Sequence, residues 1–185
     1  PGAVADENGN PTGEIKNFRP EHANQLEAGI KTNLIKDRLN ATISYYNITV
    51  DDVVITDPSN PYNTFQGGKQ RNKGIEVDIQ TSPVEGLNIL LGYAYNDSKI
   101  LDGEDTPTSW FEVGKRPLDA GSPHLANLWI TYKFLNTRLS GLGIGFGGNY
   151  VGEYYTLNLS ATGNFLIPSY TALNGSVFYD AGKFR

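Results

Sequence analysis

The residues best placed to do chemistry are few, and most of them read as something else. Gly143-Ile144-Gly145-Phe146-Gly147-Gly148 matches the G-x-G-x-x-G spacing of a dinucleotide-binding turn. That chemistry needs a strand before the glycines and a helix after them. Here Leu142, Ile144 and Phe146 keep alternating through the motif. The glycines therefore belong to a strand and leave room on its other face for an object packed close. Glu76 and Asp78 have the types of an acid–base pair, yet they stand two apart on the polar phase of one alternating run, as on a hydrated strand face. His22 and His124 have no His or Cys neighbour at ligand spacing. Cys is absent, which excludes disulfides, thiolate metal sites and Cys nucleophiles. Neither a calcium-loop spacing nor a motif around a Ser, His and Asp set is found. The expectation is a protein that is not an enzyme and holds no metal or cofactor of its own.

More useful chemistry lies in the polar stretches. Tyr62 and Phe65 share one of them, and Trp110 and Phe111 share another, beside Lys115 and Arg116. Exposed aromatics next to cations suit an anionic or aromatic chelate, held by stacking and charge. Packing of the loops on themselves, or a belt at lipid level, would use the same residues. Tyr62, Phe65, Trp110, Phe111 and Arg116 are the candidate ligand contacts. Arg116 is the weakest, since its neighbours can simply shape the loop.

What must position these residues is a set of strands. Apolar residues recur every second position in six runs: Leu26, Ala28 and Ile30; Leu39, Ala41, Ile43 and Tyr45; Ile75, Val77 and Ile79; Leu87 through Tyr95; Ala126 through Phe134; and Leu142, Ile144, Phe146 and Tyr150. A weaker seventh carries Leu173, Val177 and Tyr179. No segment has helical periodicity. Several runs hold alternation for about 9–11 residues, longer than an ordinary soluble strand and long enough for a tilted strand to cross a bilayer. Short turns near residues 35–37, 83–86 and 136–137 alternate with long polar loops at 57–70, 101–122 and 157–168, and residues 1–20 form another such stretch. Two unlike ends of this kind are the mark of a membrane barrel. Tyr45, Tyr93, Tyr95, Tyr132 and Phe134 close or nearly close their apolar phases, where interface girdles lie. On pattern alone a soluble sandwich with tyrosines on its core face stays open beside the barrel.

Composition narrows the classes. The net charge of -5, from 15 Lys+Arg against 20 Asp+Glu, argues against a nucleic-acid binder held by phosphate contacts. No stretch approaches the roughly 20 apolar residues of a membrane helix. About seven strands cannot close a bacterial barrel, which has an even count, so a piece of a larger barrel is expected.

The ordered motifs carry a resemblance. Phe18-Arg19-Pro20-Glu21 followed by Gln25-Leu26-Glu27-Ala28-Gly29-Ile30-Lys31 resembles the entry to a late barrel strand of TonB-dependent outer-membrane receptors. Lys73-Gly74-Ile75-Glu76-Val77-Asp78 resembles their K-G-x-E-x-D strand, and Gly92-Tyr93-Ala94-Tyr95-Asn96-Asp97 a strand end of theirs. Gly114-Lys115-Arg116-Pro117 with Pro123-His124-Leu125-Ala126-Asn127-Leu128-Trp129 is similar to the lead into the next strand, in the siderophore (ferrichrome-type) branch. The resemblance implies an all-β antiparallel meander of about seven long strands, part of a transmembrane β-barrel of about 22 strands and not closed on its own. Residues 1–185 would then lie in the C-terminal barrel domain, with the plug, the coupling box, the export signal and the terminal strand outside them. It implies import of a ferric siderophore across the outer membrane of a Gram-negative-type bacterium. TonB would couple through the N-terminal region, and outer-membrane lipid would surround the wall. The alternatives are a soluble β-sandwich that binds carbohydrate or acts as an adhesin, and a self-contained eight-stranded barrel.

Overall fold

The computed structural model describes residues 2–35, 38–57, 60–103, 111–159 and 163–181. Seven strands form one antiparallel sheet: β3 (His22–Leu34), β4 (Leu39–Asp57), β5 (Asn60–Thr81), β6 (Leu87–Asp102), β7 (His124–Lys133), β8 (Leu142–Val151) and β11 (Tyr170–Tyr179). They are the seven runs read from the alternation. Each strand pairs with the next in the chain, except that β9 (Tyr154–Leu159) and β10 (Gly163–Ile167) form a separate hairpin between β8 and β11. A second hairpin, β1 (Gly2–Ala5) with β2 (Pro11–Lys16), precedes β3. Among the described residues the only helical turn is a 3-10 turn at Leu118–Ala120.

Register fixes the two faces. One row across the sheet reads Ile30, Ile43, Val77, Tyr93, Ala126 and Tyr150, and the next reads Thr32, Ala41, Ile79, Leu91, Leu128, Gly148 and Leu173. The opposite face carries Lys31, Thr42, Asp78, Gly92, Asn127 and Asn149 in a single row. The apolar face stays open. Ile30 is 73% exposed and Val177 75%, whereas Ile55 and Ile100 are the only buried hydrophobic residues among those described. A soluble sandwich buries such a face against a second sheet, and among the described residues the apolar face of this sheet has no second layer upon it. A bilayer satisfies the arrangement instead. Apolar side chains face lipid, and the backbone groups are satisfied between strands.

Three of the expected loops are corrected by the structure, whereas the described residues of 103–122 do form a connection between strands. Strand β4 runs on to Asp57 and β5 starts at Asn60, so the stretch 57–70 is mostly hairpin rather than loop, and Tyr62 and Phe65 stand on strand backbone. With 22 residues, β5 reaches about 70 Å along its axis, far beyond what a bilayer needs. Alternation fails there for two reasons. Beyond the lipid both faces are wet, so nothing demands an apolar phase. The ladder also slips between Val50 and Val53, where Asp52 takes a left-handed φ of 62°. Among the described residues, Gly2–Ala5 pairs with Pro11–Lys16 and Tyr154–Leu159 with Gly163–Ile167, so much of these two stretches is hairpin as well.

Gly143, Gly145 and Gly147 of β8 face the polar side, while Gly148 falls on the apolar face, and what packs against the first three is the wall itself. A Cβ at Gly143 would strike the Phe178 ring, and one at Gly145 would lie 2.8 Å from the Trp129 indole. No helix follows β8, so the dinucleotide spacing has no phosphate cradle here.

Candidate ligand-binding face

The long-connection end of the sheet gathers the hairpin β1–β2, the β4–β5 extension and the 103–123 connection. Asparagine side chains on β5 staple the first hairpin down, and a glutamine holds the link that follows it. The Asn63 Oδ1 accepts the Ala5 amide at 2.7 Å, and the Asn60 Nδ2 donates to the carbonyls of Ala5 and Asp6 at 3.1 and 3.0 Å. The Gln66 carboxamide accepts from the Arg19 amide at 2.9 Å and donates to the Arg19 carbonyl at 2.7 Å. Such amides pair with backbone as a second strand would. Tyr62 lies beside this junction, with its ring 3.1 Å from where a Cβ on Gly9 would sit, and it remains 60% exposed.

The 103–123 connection is held by a small apolar cluster and one cation. Phe111 packs its ring where side chains on Gly68 and Gly103 would otherwise stand, next to Ile55 and Ile100. The backbone rejoins the ladder, with the Gly114 amide donating to Ile100 and the Ile100 amide to Lys115, each at 2.9 Å. Arg116 then locks the arrangement. Its guanidinium donates to the Asn96 carbonyl at 2.8 Å, to the Asn96 Oδ1 at 3.2 Å, and to the carbonyls of Gly121 and Ala120 at 3.1 and 3.2 Å. A planar fork with five donors suits such a set of acceptors. Burial pulls the Arg116 guanidinium below its usual range, and the nearby Asp97 works the other way.

The five expected contacts therefore separate. Tyr62 is exposed at the rim. Phe65 has its backbone opposite Ile55 on the hairpin, and its side chain lies outside what the structure describes. Trp110 lies outside the described residues. Phe111 and Arg116 are engaged in holding the loop. Tyr46, next to Tyr45 in the alternation, lies on the polar face with its hydroxyl over Gly74.

A two-faced open sheet with a structured rim at one end is the wall of a membrane barrel, and the sequence comparisons agree. The family described as TonB dependent receptor-like, beta-barrel matches residues 1–184. This chain belongs to that family, whose members are transporters rather than enzymes, and it is an outer-membrane protein. The chain is 30% identical to the ferrichrome outer membrane transporter/phage receptor of Escherichia coli K12 over 90% of its own length and 21% of that protein's. It is 27% identical to the ferrioxamine B receptor of Salmonella typhimurium, over 97% of the chain and 23% of the relative. The chain thus spans about a fifth of the length of these relatives. Among solved structures, the ferric-catecholate import receptor Fiu of Escherichia coli K12 superposes with a TM-score of 0.71 at 21% identity, over 98% of this chain and 24% of that one. That likeness shows the fold.

Proposed function

We propose that these residues form part of the C-terminal barrel wall and the ligand-facing rim of a receptor that imports a ferric siderophore. The plug and the barrel's terminal strand lie outside residues 1–185 in this reading, and TonB supplies the energy through the plug region. The observation that carries it is the pairing of a lipid-facing wall with a folded rim, in a chain whose relatives are named for ferrichrome and ferrioxamine B. The polar face looks into the lumen, where Lys31, Asp78, Asn127 and Asn149 offer charges and amides to a plug. Tyr62, Phe65 and Trp110 contact the chelate, while Phe111 and Arg116 hold the loop that presents Trp110. A change in rim position on binding requires that the chelate bind one rim state more tightly than another.

The test is uptake of radioactive iron chelates by cells whose only siderophore receptor is the intact protein carrying this segment. Uptake of at least one ferric siderophore, abolished when TonB is deleted, is expected. Tyr62→Ala is expected to weaken it several-fold, as befits one aromatic contact of about 1 kcal/mol. A receptor folded in the outer membrane that takes up no iron chelate would overturn the reading.

A further inference from the structure

The sheet narrows at one level near the rim. Strand β3 begins at His22, next to which Asp51 of β4 stands, and β6 ends at Asp102, opposite Lys69 of β5. Beyond those pairs β4 and β5 run on as a two-stranded ribbon to Asp57 and Asn60. The ladders slip at the same level, between Val50, Val53 and Val54 on β4 and between Lys69 and Gln70 on β5. Asp52 takes its left-handed φ of 62° there. A slipped ladder bends its strand, and a ribbon of two strands is marginal without support. This level is the joint between wall and rim. The hairpin β1–β2 goes with the ribbon, because Asn60 and Asn63 hold it at Ala5 and Asp6.

A small dry core sits astride the joint. Ile55 lies beyond the slip and Ile100 at it, and they are the only buried hydrophobic residues among those described. Phe111 closes this core from the 103–123 connection. Its ring lies 2.9 Å from where a Cβ on Gly68 of the ribbon would stand, and 2.7 Å from where one on Gly103, just past β6, would stand. The ring is thus wedged between the ribbon and the end of β6. The ion pairs at this level, Lys69 with Asp51 at 2.8 Å and Arg19 with Asp52 at 3.4 Å, are open to water and contribute little. The Gln66 Nε2 donates to the Asp52 carbonyl at 2.9 Å, which holds the bend in β4 but does not reach β6.

We propose that Phe111 is a positioning residue: it sets the angle of the β4–β5 ribbon on the wall, and with it the place of Tyr62. From Val53 to Asp57 the ribbon is a lever of about 13 Å, so a turn of about 15° at the joint carries its end roughly 3 Å. A gap of about 1 Å already forfeits much of a packed contact. The joint follows from the ladders and the core; only its consequence for Tyr62 rests on the function proposed above.

Spin labels on Glu14→Cys in β2 and Ile43→Cys in the wall, both exposed positions, read the angle as a distance in the intact receptor without other reactive thiols. The parent should give one narrow distance. Phe111→Ala should broaden it and Phe111→Leu largely restore it. Phe178→Ala, which removes a ring laid over Gly143 in the wall, should leave it unchanged. Gly68→Ala, whose Cβ would meet Ile55 and Phe111 at 2.9 Å each, should shift the distance rather than broaden it. If Phe111→Ala does not fold, Gly68→Ala carries the comparison. Binding of ferrichrome, or of the siderophore that the uptake assay shows to be imported, gives a second reading. Tyr62→Ala and Phe111→Ala should each weaken it several-fold, and the double variant no more than the stronger single, because the two act through one contact. An unchanged distance in Phe111→Ala and Gly68→Ala would overturn the proposal, and so would losses that multiply in the double variant. A receptor that binds no ferric siderophore would fail the function proposed above, with the distance measurement still deciding the role of Phe111.

Discussion

Arg116→Ala is expected to free the 103–123 connection from the barrel wall. The substitution strips donors from three carbonyls and one side-chain oxygen, on Asn96, Ala120 and Gly121. The Asn96 Oδ1 keeps the Ser98 hydroxyl at 2.7 Å, so three carbonyls lose their donor at about 1–3 kcal/mol each, and the loop loses roughly 3 kcal/mol or more of local stability. The loss is local because the sheet beneath keeps its own ladder. Hydrogen exchange reads it directly. The amides of Ile100 and Gly114 bond across the junction of loop and strand, and they should exchange on the order of a hundredfold or more faster in the variant. Arg116→Lys should recover little, because an ammonium on a flexible stem cannot span four acceptors as a planar fork does. Unchanged exchange at Ile100 and Gly114 in Arg116→Ala would mean that the loop is held by its apolar cluster alone.

The second large effect lies in the wall. At Gly74 an added Cβ would collide with the backbone carbonyl of Tyr95 and come within 2.6 Å of the Tyr46 hydroxyl. At Gly147 it would collide with the carbonyl of Leu128 and lie 2.7 Å from the Trp129 ring. A side chain can turn away, but a paired backbone carbonyl cannot. Alanine at either position should therefore cost at least the roughly 1–3 kcal/mol of an overpacked site. Gly175→Ala is the control, because its Cβ would meet only the Gly145 carbonyl, at an ordinary 3.8 Å. It should stay within about 0.5 kcal/mol of the parent. Urea unfolding of the intact barrel, followed by its heat-modifiable gel mobility, separates the three variants. A Gly74→Ala barrel as stable as Gly175→Ala would refute the close approach of β5 to its neighbours.

Much of this architecture was legible because a bilayer imposes period two. Leu87 through Tyr95 and Ala126 through Phe134 alternate since one side meets lipid and the other does not, and the structure pairs them in the phase the sequence shows. The same logic explains the failure at 57–70. Outside the lipid, Asn60 and Asn63 are polar because they hydrogen-bond the neighbouring hairpin, and Gln66 because it bonds the Arg19 backbone after that hairpin and the Asp52 carbonyl; polar residues beside prolines and glycines read as loop. The anchoring role of Arg116 left little trace. Three of its four bonds go to backbone carbonyls, which every residue type possesses. The strand character of 142–148 could be read from Leu142, Ile144 and Phe146, but not the identity of what fills the glycine face. Trp129 and Phe178 come from β7 and β11, and only register brings them over β8.

The central claim is that one face of this sheet meets lipid and the other the lumen. Residues 1–185 contain no Cys, so a single cysteine introduced into a receptor without other reactive thiols can carry a spin label at any chosen position. Labels would be placed at Ile43, Val77, Leu91 and Leu128 on one face, and at Thr42, Asp78, Asn127 and Asn149 on the other. In reconstituted vesicles the first set should collide with lipid-dissolved oxygen and the second should not. Accessibility plotted along each strand should then alternate with period two. Equal oxygen accessibility at Ile43 and Thr42, and at Leu128 and Asn127, would contradict the wall assignment and everything built on it.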